Sequence, residues 1–215
     1  MIKIEHVEAY GWEAAIRGMR NPMNSWEKSD SFQSELFPWS MEPDLGPNDI
    51  SLMVKLAKAG SDHSKFMRMI SVAMDITAPL YWWKEYDTYK VGTVANSCST
   101  MHRIHAHSLS FSDFSCEHLN VDSIDVLGKV IQVLNKAREE FCTHKDKDDW
   151  WQLIQLLPSS YNQKRTVLVN YAVLQKMYHA RKHHKLDEWR DFCKVVELLP
   201  YAKELIVGSD SSADT

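Results

Sequence analysis

Apolar positions along the chain change period several times, and each change marks an element. Ile2, Ile4 and Val7 alternate with polar residues, which predicts a short opening strand, and the stretch 12–19 that follows reads as a short helix. Residues 21–48 carry Pro22, Pro38, Pro43, Gly46 and Pro47 among polar and aromatic positions. They read as an irregular covering segment held down by Trp26, Phe37 and Trp39. Asn48 or Asp49 is placed to cap a helix through Leu52, Met53, Leu56 and Ala59, with Gly60 at its end. From Phe66, the positions Ile70, Val72, Met74 and Ile76 predict a strand, interrupted by Arg68 and broken at Pro79.

Helical spacing dominates the second half. Ile124, Leu127, Ile131, Leu134 and Phe141 form one stripe, so a long helix is expected after Asp122 or Ser123, with a polar exit over 145–149. A short helix over 150–157 stops at Pro158. Residues 165–181 read as another helix, with Val167, Tyr171, Leu174 and Tyr178 on one side, and a last helix carries Trp189, Phe192, Val196 and Leu199. The polar stretch 208–215 is expected to be a disordered tail, leaving one α+β domain over 1–207.

Composition sharpens this outline. With 215 residues, 44% of them hydrophobic, the chain can bury one sizeable core. A net charge of -4 supplies no overall cationic field for a phosphate backbone, so nucleic acid is not favoured as a partner. No apolar run approaches a membrane span, and the opening residues 1–6 lack the basic region and apolar run of a signal peptide. The expectation is a cytoplasmic chain that does not enter membranes. Cys98, Cys116, Cys142 and Cys193 are too far apart for Cys-x-x-Cys chemistry and read as reduced thiols. Cys116 and His118, taken with His102, His105 and His107, complete no four-ligand pattern, so no metal site is expected.

Candidate chemistry lies in three segments. Gly60-Ser61-Asp62-His63 leads into the central strand. Asn96, Ser97 and Ser99 sit in a polar run before Met101-His102. Leu156-Leu157-Pro158 is followed by Asn170, Arg181 and Trp189. In this order the segments resemble the flavin-dependent thymidylate synthases, whose fold is an antiparallel sheet flanked by several helices. The resemblance implies that His63, Asn96, Ser97, Ser99 and Asn170 lie at a flavin, FAD, and that Arg181, Lys90 and Arg103 serve a pyrimidine nucleotide, dUMP. It also implies a homotetramer with sites at subunit interfaces. If catalysis is retained, NADPH and methylenetetrahydrofolate take part in dUMP methylation. No residue is assigned a catalytic role.

The departures from the family pattern matter chemically. Ser97 replaces its Glu, Met101-His102 replaces Arg-Tyr, and residues 83–90 lack the Arg-His-Arg triplet. Ala172 and Ile154 stand where arginines are expected. An arginine fork binds phosphate bidentately, and each charge-assisted bond contributes about 1.5–3 kcal/mol. Lys84, Lys90, Arg103, Arg165, Arg181 and Lys182 are the cations from which a rearranged anion site would be drawn. The alternative is a protein that keeps the fold without the chemistry and serves as a nucleotide-binding or protein-interaction module. For His63 the competing reading is a water-exposed turn histidine; for Asn96, Ser97 and Ser99 it is ordinary turn chemistry. Trp82, Trp83 and Tyr86 read as core packing.

Overall fold

The computed structural model describes residues 2–31 and 43–208. Phe37 and Trp39, and the expected tail beyond Gly208, lie outside the described residues. Strand β1 (Lys3–Tyr10) leads to helix α1 (Trp12–Arg20), and α2 (Pro47–Lys58) precedes β2 (Ser71–Pro79). Then come α3 (Leu80–Tyr86), β3 (Thr93–Ser97), α4 (Thr100–Arg103), α5 (Val121–His144) and α6 (Lys147–Leu156). The chain continues through β4 (Asn162–Asn170), α7 (Tyr171–Arg181) and α8 (Asp187–Glu197).

The strands form one antiparallel sheet in the order β1-β2-β4-β3, so the class is α+β. Opposed ends of β2 and β4 meet: the Leu80 N–H donates to the Tyr161 carbonyl at 3.0 Å, and the Tyr171 N–H donates to that of Ile70 at 2.9 Å. Beyond the sheet, the chain divides into two compact units interleaved in sequence. One comprises Met1–Lys3, Ile76–Thr88 and Asn96–Thr166; the other comprises Ile4–Asp75, Tyr89–Ala95 and Val167–Thr215.

The first unit is centred on the long helix α5. Its stripe of Leu127, Ile131, Leu134 and Ala137 is buried with Phe114 and Leu153. The helix starts earlier than Asp122, because the Asn120 side chain accepts from the Ser123 N–H at 2.9 Å and caps it. Trp82, Trp83 and Tyr86 on α3 are buried and pack against one another, Trp83 meeting the other two edge to face, as their packing role predicts.

In the second unit α1 buries Trp12, Ala15, Ile16 and Met19, an i, i+3, i+4, i+7 face. Gly11 makes the turn from β1 possible: its φ is +88°, and a Cβ there would sit 2.1 Å from the Met69 carbonyl oxygen. Asp49 does not cap α2, whose N-cap is Gly46 with Pro47 in the first turn. Instead the Asp49 carboxylate is fully buried and receives the Arg20 Nε–H at 2.7 Å, together with the Ser29 and Ser31 hydroxyls and the Asp30 and Ser31 N–H groups. Arg20 also donates to the Ser25 and Lys28 carbonyls, so this pair anchors residues 25–31. Trp26 does not pin the segment; it is half exposed and donates only to Asn21.

Two sequence expectations fail for the same reason. Residues 64–68 form a 3-10 turn rather than the start of β2, with Phe66 and Met67 inward and Lys65 and Arg68 outward. Residues 165–170 belong to a strand rather than to the start of α7. Val167 and Val169 are buried while Thr166 and Leu168 are exposed, which is a period of two. In both cases the apolar spacing satisfies helix and strand alike, and the neighbouring element selects between them.

Candidate functional site

Asn170 ends β4 and begins α7. Its Oδ1 accepts from the Val173 N–H at 3.0 Å, capping the helix, and its Nδ2 donates to the Gly92 carbonyl at 3.4 Å. Gly92 has φ +84°, and a Cβ there would meet Asn170 Nδ2 at 2.7 Å, so the close approach of segment 89–93 to the helix start requires glycine. At the other end of α7 the Arg181 Nε donates to the Tyr89 hydroxyl at 3.0 Å. Its guanidinium lies 4.9 Å from the Trp189 ring centroid. Arg181 is thus ordered by aromatic packing, and exposed Lys90 follows its partner Tyr89 in sequence. Replacing Asn170 by Ala is expected to cost about 1 kcal/mol through the lost cap, read from the urea midpoint.

His63 belongs to the same unit as Lys90, Asn170 and Arg181. It precedes the 3-10 turn as an exposed residue whose N–H donates to the Gly60 carbonyl at 3.1 Å.

The other unit holds Asn96, Ser97, Ser99 and Arg103. Asn96 and Ser97 end β3 with exposed side chains, so this polar run is a strand end rather than a turn. Ser99 caps α4, its hydroxyl accepting from the His102 N–H at 3.2 Å, and Arg103 closes that turn as an exposed residue. Behind them the Cys98 N–H donates to the Lys164 carbonyl, while Gln163 Nε2 donates to the Cys98 carbonyl at 2.8 Å. Arg165 lies 4.2 Å over the Trp83 ring and donates to Gln163 at 3.0 Å and to Asp87 at 2.8 Å. It is a locked cation. The Tyr86 hydroxyl beside this cluster is buried with no hydrogen-bond partner among the described residues. Burial, with the Asp87 charge adding and Arg165 opposing, raises its pKa far above the usual phenol range, so it remains protonated.

The positions that lack the expected arginines are apolar in fact as well as in name. Ile154 packs against the core around α5, and Ala172 sits half-buried in the first turn of α7. One grouping was missed by the motif reading, which weighed His105 only beside its neighbouring histidines. His105 packs on Phe141 and Cys142 at the end of α5, the stretch that also carries Arg138 and Lys145, more than thirty residues away in sequence.

The class defined by this geometry is an α+β protein with a four-stranded antiparallel sheet and polar clusters at the ends of β3 and β4. No family model matches the sequence, and no curated protein matches it. Solved structures do match. A crystal structure of the flavin-dependent thymidylate synthase ThyX from Helicobacter pylori, complexed with FAD and dUMP, is similar with a TM-score of 0.70 at 18% identity, over 97% of this chain and 98% of its own. A second structure of ThyX from Helicobacter pylori, with FAD and dUMP, gives a TM-score of 0.67 at 18% identity, over 97% of each chain. At that identity the likeness establishes the fold.

Proposed function

We propose that this chain binds a flavin, a pyrimidine nucleotide or both in the flavin-dependent thymidylate synthase fold. The carrying observation is a fold likeness over nearly the whole chain to proteins described in complex with FAD and dUMP. In the first unit exposed Asn96, Ser97 and Arg103 are donors available to phosphate or ring edges, and in the second exposed His63 and Lys90 are, each unit taken by itself. Asn170 and Arg181 would contribute through their positions at the two ends of α7. Bound FAD would supply hydride chemistry, and the protein's part is to orient it.

The donor set fits binding better than the family's methylation. Ile154 and Ala172 offer no charge where phosphate-binding arginines are expected, and two of the remaining arginines are engaged internally, Arg165 with Asp87 and Trp83, Arg181 with Tyr89 and Trp189. These engagements favour the second reading, a binding module without catalysis, and no step through NADPH or methylenetetrahydrofolate is derived. A homotetramer belongs to the same proposal and would sediment at four times the chain mass.

The test is the visible spectrum of the purified protein, followed by titration of FAD with and without dUMP by flavin fluorescence. Saturable, dUMP-sensitive quenching is the expected result; absence of binding at high micromolar FAD defeats the proposal. If FAD binds and the protein does not oxidise NADPH in the presence of dUMP, the non-catalytic reading stands.

A further inference from the structure

The C-terminal end of α5 carries Arg138, Phe141 and Cys142, the last two at three and four residues from the first and so on one helical face, and Lys145 follows as the residue that ends the helix. The 3-10 turn Ile104–Ala106 packs on that helix. The His105 ring meets Phe141 edge to face at 4.9 Å between centroids, and the Cys142 thiol donates to the His105 carbonyl at 3.8 Å. Lys145 turns back in the left-handed conformation, φ 58°, with Nζ 5.4 Å from the Phe141 ring centroid. Arg103 ends the helical turn just before His105.

This cluster has unspent polar capacity. Arg138 Nε and His105 Nδ1 are both buried with no hydrogen-bond partner among the described residues. An orphaned buried donor costs about 1–3 kcal/mol, a penalty that a ligand can relieve. Among the described residues Arg103, Arg138 and Lys145 also make no ion pair with a carboxylate. Asp146, the adjacent acid, is occupied in capping α6 through the Asp148 N–H at 3.0 Å. Burial first, and then the charges of Lys145, Arg103 and Arg138, hold the His105 pKa below its ordinary value. The carbonyl end of α5 contributes about half a negative charge, too little to offset three cations.

We propose that Arg103, Arg138, Lys145 and His105 form a binding site for a di- or polyphosphate group. The Lys145 ammonium and the Arg138 guanidinium donate to phosphate oxygens, the side chains of Arg138 and His105 turning on binding to bring their buried nitrogens to the anion. Neutral His105 presents Nδ1–H in the tautomer the anion selects, and Arg103 closes the open side. A diphosphate matches both the number of donors and the charge of the cluster. Arg138, Lys145 and His105 have no part in the nucleotide reading above, and Arg103 is the one residue the two proposals share.

Isothermal titration calorimetry with inorganic pyrophosphate at low ionic strength tests the site. Saturable one-site binding is expected, weakened roughly 10-fold or more in Arg138→Gln and in Lys145→Asn, since each removes one charge-assisted contact. Asparagine tolerates the left-handed backbone at Lys145, so that variant keeps the α5 terminus intact. A second readout, the His105 ring resonances, should shift upfield or downfield on pyrophosphate addition in the unmodified protein. Absence of saturable heat, or equal affinity in both variants, overturns the proposal. FAD titration run alongside separates the readings: pyrophosphate bound without FAD defeats only the flavin proposal, and the reverse outcome defeats only this one.

Discussion

Asp49→Asn is expected to destabilise the protein by about 3–5 kcal/mol, because it leaves the Arg20 guanidinium buried without its counter-charge. The substitution is nearly isosteric, so lost packing does not explain the effect. The amide can still accept from Ser29 or Ser31, but it cannot balance a charge whose side chain is 4% exposed. For a chain of this length the melting temperature should fall by roughly 10 °C. Replacing both partners with apolar residues, Arg20→Met with Asp49→Leu, should recover part of the loss, since a buried pair is costly to break but not costly to remove whole. A double variant no more stable than the single one would contradict this account.

The same pair predicts an acid limb. Burial of the Asp49 carboxyl opposes its ionisation, but the Ser31, Ser29 and Arg20 hydrogen bonds and the Arg20 charge outweigh it, and its pKa lies below the ordinary 3.8. A depressed carboxylate contributes stability that is complete above the unfolded-state pKa and is lost as pH falls through the lower folded-state value. Stability measured by urea unfolding should therefore decline below about pH 4 in the unmodified protein. The slope should be shallower in Asp49→Asn, which has no carboxyl to protonate at this position.

Trp189→Ala is the second large effect, about 3–5 kcal/mol, from the cavity left by a fully buried indole. Trp189 packs edge to face on Phe192 at 5.7 Å and on Tyr89 at 6.2 Å, and it carries the Arg181 guanidinium on its ring. Its loss should therefore loosen more than α8. Released from one of its two aromatic neighbours, Arg181 should lose order along with segment 89–93. Hydrogen exchange at Tyr89–Thr93 provides the specific check: faster exchange there in Trp189→Ala than in a cavity variant such as Phe192→Leu is the expected outcome. Equal protection in the two would show that Trp189 supports only bulk stability.

Where one period was unambiguous, the pattern of apolar residues led directly to the element. The stripe from Ile124 to Phe141 became α5, the alternation from Val72 to Ile76 became β2, and Trp189, Phe192 and Val196 became the buried face of α8. Segment order was also enough to suggest the fold, because the spacing of helices and strands is written locally. Val167 and Val169 fitted a helix stripe equally well. Only pairing of β4 between β2 and β3 makes that stretch a strand, since backbone N–H and C=O groups must find partners whatever the side-chain period suggests.

Polar residues were less legible. Asp49 reads as a helix cap until α1 brings Arg20 against it, 29 residues away in sequence. Arg181 and Arg165 read as available cations until Trp189 and Trp83 are placed beneath them. Arg138 and Lys145 look like ordinary charges on an amphipathic helix, and His105 like one histidine of several, until the turn Ile104–Ala106 folds onto α5. The physical reason is range. Burial of an apolar side chain is favourable against almost any apolar neighbour, so a local period predicts it, whereas a charge or hydrogen bond acquires its meaning from one particular partner that the chain must bring back from a distance.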